Sequence, residues 1–171
     1  MKKNKLTLFL FTLISVVFLF ACGNSNSSIT NKGDQAPMFV IEDLAGNQIA
    51  LEDLAGEKVY IKYWASWCSI CLAGLDELNT LAAQENDFKI LTIVSPDFKG
   101  EKSASKFSKW YPKLSADNLT VLLDMDGKWA KQFGILAYPT SYFIGSDGIL
   151  AKTTIGHVPN ETIIKDFETI N

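Results

Sequence analysis

Cys68 and Cys71 stand two residues apart in the stretch Trp64 to Leu72, WASWCSICL, and that spacing admits three chemistries. Two thiolates can clasp a metal, form a permanent staple, or cycle between dithiol and disulfide and pass two electrons to another protein. A structural zinc ion commonly takes four ligands, with a second Cys/His pair at its own short spacing. Only Cys22 and the single histidine, His157, remain to supply that pair. A permanent staple across so small a loop would remove little chain entropy, and such tight rings are more often labile and catalytic than structural. A C-x-x-C pair beside an α/β pattern favours the redox reading.

The elements around the pair assign the two sulfurs different work. Lys58 to Ala65, KVYIKYWA, is almost continuously apolar and rich in β-branched and aromatic residues, which predicts a buried, central, parallel-type strand. From Ser69 to Gln84, apolar residues at Ile70, Leu72, Leu75, Leu78 and Leu81 predict one helix entered directly from that strand. Cys68 then sits at the helix amino terminus, where unpaired N–H groups and the helix dipole favour its thiolate and lower its pKa below the roughly 8.5 of free cysteine. Cys68 is the expected attacking sulfur. Cys71, about one turn further on and less exposed, is the expected resolving thiol.

The rest of the folded part alternates strands and helices. Residues from Ala36 to Leu51 predict an amino-terminal hairpin turning at Ala45-Gly46-Asn47. Phe88 to Pro96 and Leu119 to Asp124 read as two further strands. The segment GEKSASKFSKWYPKL reads as an exposed amphipathic helix broken at Pro112, and DGKWAKQFGI as a short helix closed near Gly134. Two strands flank a turn at Gly145-Ser146-Asp147-Gly148, and a last helix follows with Asn160 as its expected cap. The fold class expected is an α/β sandwich with a central mixed sheet flanked by helices and an added amino-terminal hairpin.

The chain has 171 residues, of which 47% are apolar and 20% charged, enough for one well-buried domain. It begins with three lysines, an apolar run from Leu6 to Phe20, and then Ala21-Cys22, the layout of an export signal. The run is short for a transmembrane anchor, the competing reading. Leu-Phe-Ala-Cys resembles the lipobox of bacterial lipoproteins, which implies that Cys22 carries the lipid and becomes the first residue. Two acyl chains suffice for durable attachment. The boundaries expected are a signal at 1–21, a polar, flexible tether at 22–34, and the domain at 35–171, held on the extracytoplasmic face of the membrane. All the basic residues are lysines, and losing Lys2, Lys3 and Lys5 leaves 13 of them against 19 acids. A net charge of −6 argues against nucleic-acid binding.

With those elements in place, W-A-S-W-C-S-I-C is similar to the active-site segment of the thioredoxin-like family, in its TlpA/ResA-like extracellular branch. Ala-Pro at 36–37 with Phe39, Leu-Glu-Asp-Leu-Ala-Gly at 51–56, Tyr-Pro-Thr at 138–140 and Phe-Ile-Gly-Ser-Asp-Gly at 143–148 match that branch in order. A narrower likeness lies in I-K-Y-W-A-S-W-C, V-S-P-D-F-K-G-E-K and F-S-K-W-Y-P-K-L. These resemble the thioredoxin-like domains that serve secreted methionine sulfoxide reductases. The resemblance implies a cis-proline at Pro139 against the disulfide, Tyr138 and Trp67 as docking residues, and Trp64 as core packing. It also implies a methionine sulfoxide reductase as electron acceptor, a membrane thiol carrier of the CcdA type as donor, and no metal or cofactor.

Three positions depart from the wider family. Where thioredoxins place a buried aspartate, six residues before the first cysteine, this chain has Lys62. A buried cation there would stabilise a thiolate, whereas a lysine reaching the sheet edge would have no such effect. Gly74 replaces a glutamate frequent in the cytochrome-maturation proteins, and Ile70 replaces a proline. Cytochrome maturation or reduction of other secreted proteins is therefore the alternative role. A peroxidase of the peroxiredoxin type would need a threonine-led cysteine and an arginine, and no arginine occurs here. A copper-delivery relative would space its cysteines differently; His157 reads as an isolated surface or packing residue. The basic segment Asp97 to Leu114 is either a docking element or a solvated helix face.

Overall fold

Strand β3 (Lys58–Tyr63) dictates the architecture, because every residue from Val59 to Tyr63 is buried and neither face is left to water. Val59, Ile61 and Tyr63 point into one core while Tyr60 and Trp64 point into the other, the two-residue alternation of a pleated strand. A strand buried on both sides needs a covering layer on each face. The computed structural model describes residues 31–171 and shows both layers.

The order along the chain is β1 (Val40–Asp43), β2 (Gln48–Ala50), β3, the short helix α1 (Ser69–Ala73), α2 (Leu75–Ala82), β4 (Phe88–Val94) and α3 (Ala104–Trp110). Then come β5 (Thr120–Leu123), α4 (Lys128–Gln132), β6 (Thr140–Ile144), β7 (Leu150–Ile155) and α5 (Asn160–Phe167). They build one seven-stranded sheet in the order β2-β1-β5-β4-β3-β6-β7. Strands β3, β4 and β5 run parallel, and the other pairings are antiparallel. The mixed sheet and the amino-terminal hairpin follow the sequence expectation, and β1 extends the sheet by pairing with β5.

One core gathers Leu75, Leu78 and Leu81 of α2, Phe107 of α3, and Ile163 and Phe167 of α5 over Tyr60 and Phe143. Phe167 stacks on Phe88 with ring centroids 4.3 Å apart. The opposite core packs Phe39, Ile41, Ile93, Leu122, Phe133 and Tyr142 against Ala130 of α4. Each fully buried large side chain contributes about 2 kcal/mol from area removed from water.

Three local expectations are corrected. The single helix predicted from Ser69 to Gln84 is two, meeting at Gly74 with φ −98° and ψ 5°. The break turns Leu75, Leu78 and Leu81 inward and leaves Ile70 59% exposed. Asn160 does not cap the last helix: Pro159 holds that position, and the Asn160 side-chain amide donates instead to the Glu77 carbonyl at 2.7 Å. A tertiary hydrogen bond has taken the group that local chemistry assigned to the cap. Finally, α3 does not break at Pro112. It ends at Trp110 and passes into a 3-10 turn, Tyr111–Leu114, that includes this proline and closes at Ser115 with φ 51°.

The described chain contacts the domain from its first residue. The Asn31 backbone N–H donates to Asp147 Oδ2 at 2.7 Å, and its amide donates to the Asn171 carbonyl at 2.8 Å. The expected signal at 1–21, the lipid-bearing Cys22 and most of the tether lie outside the described residues. Among the described residues, no helix is long and apolar enough to cross a membrane.

Candidate active site

The chain leaves the sheet after Tyr63 and is tied by the Trp64 N–H to the Ile93 carbonyl at 3.0 Å. It turns tightly, with the Cys68 N–H donating to the Ala65 carbonyl at 3.0 Å, so that Cys68 is the amino-terminal cap of α1. Its Sγ accepts the Cys71 N–H at 3.2 Å, which directs a donor at any negative charge on that sulfur. Cys68 and Cys71 are joined in a disulfide. Cys71 is wholly buried and Cys68 is 8% exposed, so Cys68 is the sulfur that a partner can reach.

The opposing wall is the loop before β6. The Tyr138–Pro139 peptide bond is cis, and Cys68 Sγ lies 3.7 Å from the Tyr138 carbonyl oxygen. Sheet pairing resumes one residue beyond, where the Gly156 N–H donates to the Pro139 carbonyl at 2.8 Å. Trp67 is 53% exposed and meets the Tyr138 ring edge-on with centroids 5.8 Å apart. Trp64, by contrast, is fully buried among Phe107, Trp110 and Tyr111. The structure thus brings Cys68, Cys71, Trp67, Tyr138 and Pro139 together. Cys22 lies outside the described residues.

A carboxylate that sequence reasoning did not single out secures this loop. Glu101, 7% exposed, accepts the Ser66 N–H and Ser66 hydroxyl, both at 2.5 Å, and the Lys102 N–H at 2.6 Å. Lys102 Nζ donates to Ser66 Oγ at 2.6 Å and sits 4.6 Å from the Trp110 ring centroid. The segment carrying Glu101 also reaches the other wall, where Lys99 Nζ donates to the Ile135 carbonyl at 2.7 Å. The only signal in the sequence was the V-S-P-D-F-K-G-E-K likeness, which did not say which residue mattered. Glu101→Ala strands buried donors and is expected to destabilise the oxidised protein by about 2 kcal/mol. Glu101→Gln, which keeps an acceptor oxygen, should lose about half as much. Urea unfolding midpoints of the two variants check the ranking.

Lys62 does not reach the sheet edge. It is 1% exposed, on the same face of β3 as Tyr60 and Trp64, and burial pushes its amine down to about 8 while Glu77 opposes that shift. His157 is a packing residue, as expected, with its ring against Gly74, and it also has a partner: its Nε2 lies 3.0 Å from Glu77 Oε2. Among the described residues no group of three His, Cys, Asp or Glu side chains is placed to hold a metal ion. The arrangement can do thiol–disulfide exchange: one reachable sulfur, one buried sulfur and a backbone wall beside them.

Comparison with known proteins agrees with this chemistry. The profile of the AhpC/TSA family matches residues 32–153. Thiol-disulfide oxidoreductase ResA of Bacillus subtilis is 31% identical over 175 residues, covering 96% of this chain and 93% of the relative. An uncharacterized protein of Haemophilus influenzae is 41% identical over 148 residues, covering 86% of this chain and 92% of its own length. Among solved structures, the exposed lipoprotein thioredoxin of Streptococcus pneumoniae superposes with a TM-score of 0.75 at 40% identity, over 78% of this chain and all of that one. The N-terminal domain of PilB from Neisseria gonorrhoeae gives 0.68 at 27% identity, over 75% of this chain and 87% of that one.

Proposed function

The chain belongs to the AhpC/TSA family, and on that premise we propose that it is a lipid-anchored surface reductant that delivers electrons to a methionine sulfoxide reductase. It is a thiol-disulfide oxidoreductase with a thioredoxin-like fold. The observation that carries the exchange chemistry is the reachable Cys68, set at a helix cap beside cis-Pro139 and backed by the buried Cys71. In the reduced protein, the Cys68 thiolate attacks one sulfur of the acceptor's disulfide, forming a mixed disulfide and releasing the other acceptor sulfur as a thiolate. Cys71 loses its proton and attacks Cys68 Sγ, which closes the Cys68–Cys71 bond and frees the second acceptor thiolate. The acceptor has gained two electrons. A membrane thiol carrier of the CcdA type returns this protein to the dithiol.

A methionine sulfoxide reductase needs such a donor, because it resolves a sulfenic acid into a disulfide that another dithiol must reduce. Support for this acceptor comes from the three motif likenesses and from Lys62, which matches the group serving these reductases. The anchor at Cys22 is supported by the Leu-Phe-Ala-Cys sequence and by the pneumococcal relative, itself an exposed lipoprotein. Peroxide reduction, which the family name also covers, is disfavoured by the lack of any arginine. Cytochrome maturation is disfavoured by Gly74 in place of the glutamate, a position where a Cβ would lie 2.4 Å from His157 Nδ1 and would have to displace that ring.

The test is a trap. Cys71→Ser, expressed in the native host, should accumulate a mixed disulfide through Cys68, and mass spectrometry should find a methionine sulfoxide reductase in it. Cytochrome precursors, or many unrelated secreted proteins, in that band would overturn the assignment of the acceptor.

A further inference from the structure

Polar groups line a seam through the otherwise apolar core on the cysteine face of the sheet. At its inner end Tyr60 Oη and Ser141 Oγ are 2.7 Å apart. Lys62 follows two residues along β3, with Thr92 of β4 and Ser141 of β6 as its cross-strand neighbours. Glu77 of α2 stands at the outer end, with Oε1 accepting the Asn160 N–H at 2.9 Å and Oε2 3.0 Å from His157 Nε2. Both outer side chains reach water, Glu77 being 41% and His157 33% exposed.

Gly74 is where the seam meets the redox centre. A Cβ on this residue would stand 3.3 Å from Lys62 Nζ and 2.4 Å from His157 Nδ1, so the amine and the imidazole both pack against its backbone. Gly74 lies three residues beyond Cys71, and its N–H donates to the Cys71 carbonyl at 3.3 Å. Residues three apart on a helical turn share a face, with Cβ positions about 5–6 Å apart. The Lys62 amine therefore packs at the end of the turn that carries Cys71, about one helical turn from the thiol that must lose its proton to attack. Burial leaves Cys71 no direct access to water as a base.

We propose that Lys62 takes and returns the Cys71 proton during exchange, and that Glu77, held by Asn160 and contacted by His157, positions that amine and biases its charge. When the mixed disulfide resolves, the Cys71 thiol gives its proton to the Lys62 amine, its sulfur bonds to Cys68 Sγ, and the acceptor sulfur leaves as a thiolate. When a donor thiolate later attacks Cys68 Sγ, Cys71 leaves as a thiolate and takes the proton back from the Lys62 ammonium. One proton is shared by two buried groups, and no further reactant is required. The groups around the amine are Glu77 of α2, His157 after β7, and Tyr60, Thr92 and Ser141 of the sheet, with Cys71 of α1 about one helical turn away across Gly74. Because burial holds the amine near 8, both of its forms are populated in mildly alkaline solution. The inference rests on exchange at Cys68–Cys71 and is independent of which protein receives the electrons.

The experiment uses glutathione disulfide as probe and follows two steps by rapid quench from pH 6 to pH 10: formation of the Cys68–glutathione adduct, then its resolution by Cys71. The resolution rate of the native protein should rise through a step near pH 8. Lys62→Met should abolish that step and slow resolution by about 100-fold at pH 7.5, the scale of a lost proton-transfer group, while adduct formation changes far less. Glu77→Gln should move the step to lower pH, since the carboxylate no longer favours the ammonium. A Lys62→Met profile superimposable on the native one would overturn the proposal, as would a Glu77→Gln step that stays in place. Failure of the native protein to form the adduct would instead overturn exchange at this pair, and the proton assignment with it.

Discussion

Cys68→Ser should reduce disulfide reductase activity to the uncatalysed background, a loss of at least about 1000-fold, and should also leave the protein inert in a single turnover. The asymmetry between the two sulfurs makes this more than loss of a cysteine. In Cys68→Ser the remaining sulfur is Cys71, which is wholly buried beneath its own helical turn and cannot meet a partner's disulfide. In Cys71→Ser the remaining sulfur of the pair is that of Cys68, the one that keeps some exposure, at the cap of α1, and it accepts the backbone N–H of residue 71, which the serine retains. That variant should react with one equivalent of disulfide and then stop as a mixed disulfide. Thiol counting by mass spectrometry after mixing each variant with glutathione disulfide separates them: no adduct for Cys68→Ser, one for Cys71→Ser. A stable adduct on Cys71 in the first variant would show that the buried sulfur is reachable, and would remove the basis for assigning the attack to Cys68.

Lys62→Met should stabilise the oxidised protein at pH 7 by about 3 kcal/mol, even though it impairs exchange. The native amine is lowered from 10.5 to about 8, chiefly by burial, so the folded state carries a charged group that the unfolded chain solvates more favourably. Each pKa unit corresponds to about 1.36 kcal/mol, which sets the scale. The sign follows from proton counting. Between about pH 8 and pH 10.5 the unfolded chain holds the proton that the folded protein has lost, so native stability rises with pH across that window. Below it the full penalty is present, and above it the penalty is gone. Methionine has a similar length, needs no proton and suits an irregular apolar site, and replacing a buried charge with apolar packing is often stabilising. Urea unfolding of both proteins at pH 7 and pH 10.5 should show a large gap closing to within about 1 kcal/mol. The oxidised form is the one to use, because its cysteines do not titrate. A gap that persists at pH 10.5 would mean that packing, not charge, sets the difference.

The two expectations for Lys62 describe one trade. A buried amine costs stability at neutral pH and supplies a proton acceptor where water is absent. Its partner Glu77 moderates the cost without removing it.

The sequence by itself determined the outline and the reacting atoms. A run such as KVYIKYWA, short, apolar at nearly every position and rich in β-branched and aromatic residues, reads as a strand covered on both faces, and the alternation of strands with helical periods makes the sandwich the economical solution. The C-x-x-C pair at the end of that strand names both sulfurs, and helical geometry alone makes the first more reachable than the second. These are local facts, carried by spacing within about one turn or one strand. The tertiary structure decided what local spacing cannot carry. Glu101 fastens Ser66 across 35 residues, and Asn160 leaves its expected cap to bond Glu77 across 83. His157, isolated in the sequence, reaches Glu77 and packs against Gly74 only because β7 delivers it to the end of the cysteine helix. The burial of Lys62 was open for the same reason. A lysine on a central strand can extend to water or stay inside, and what closed the route was the packing of helices folded back from up to a hundred residues away. Single-sequence patterns record the periodicity of each element, whereas these contacts depend on which elements become neighbours, a property of the assembled sheet and its two layers.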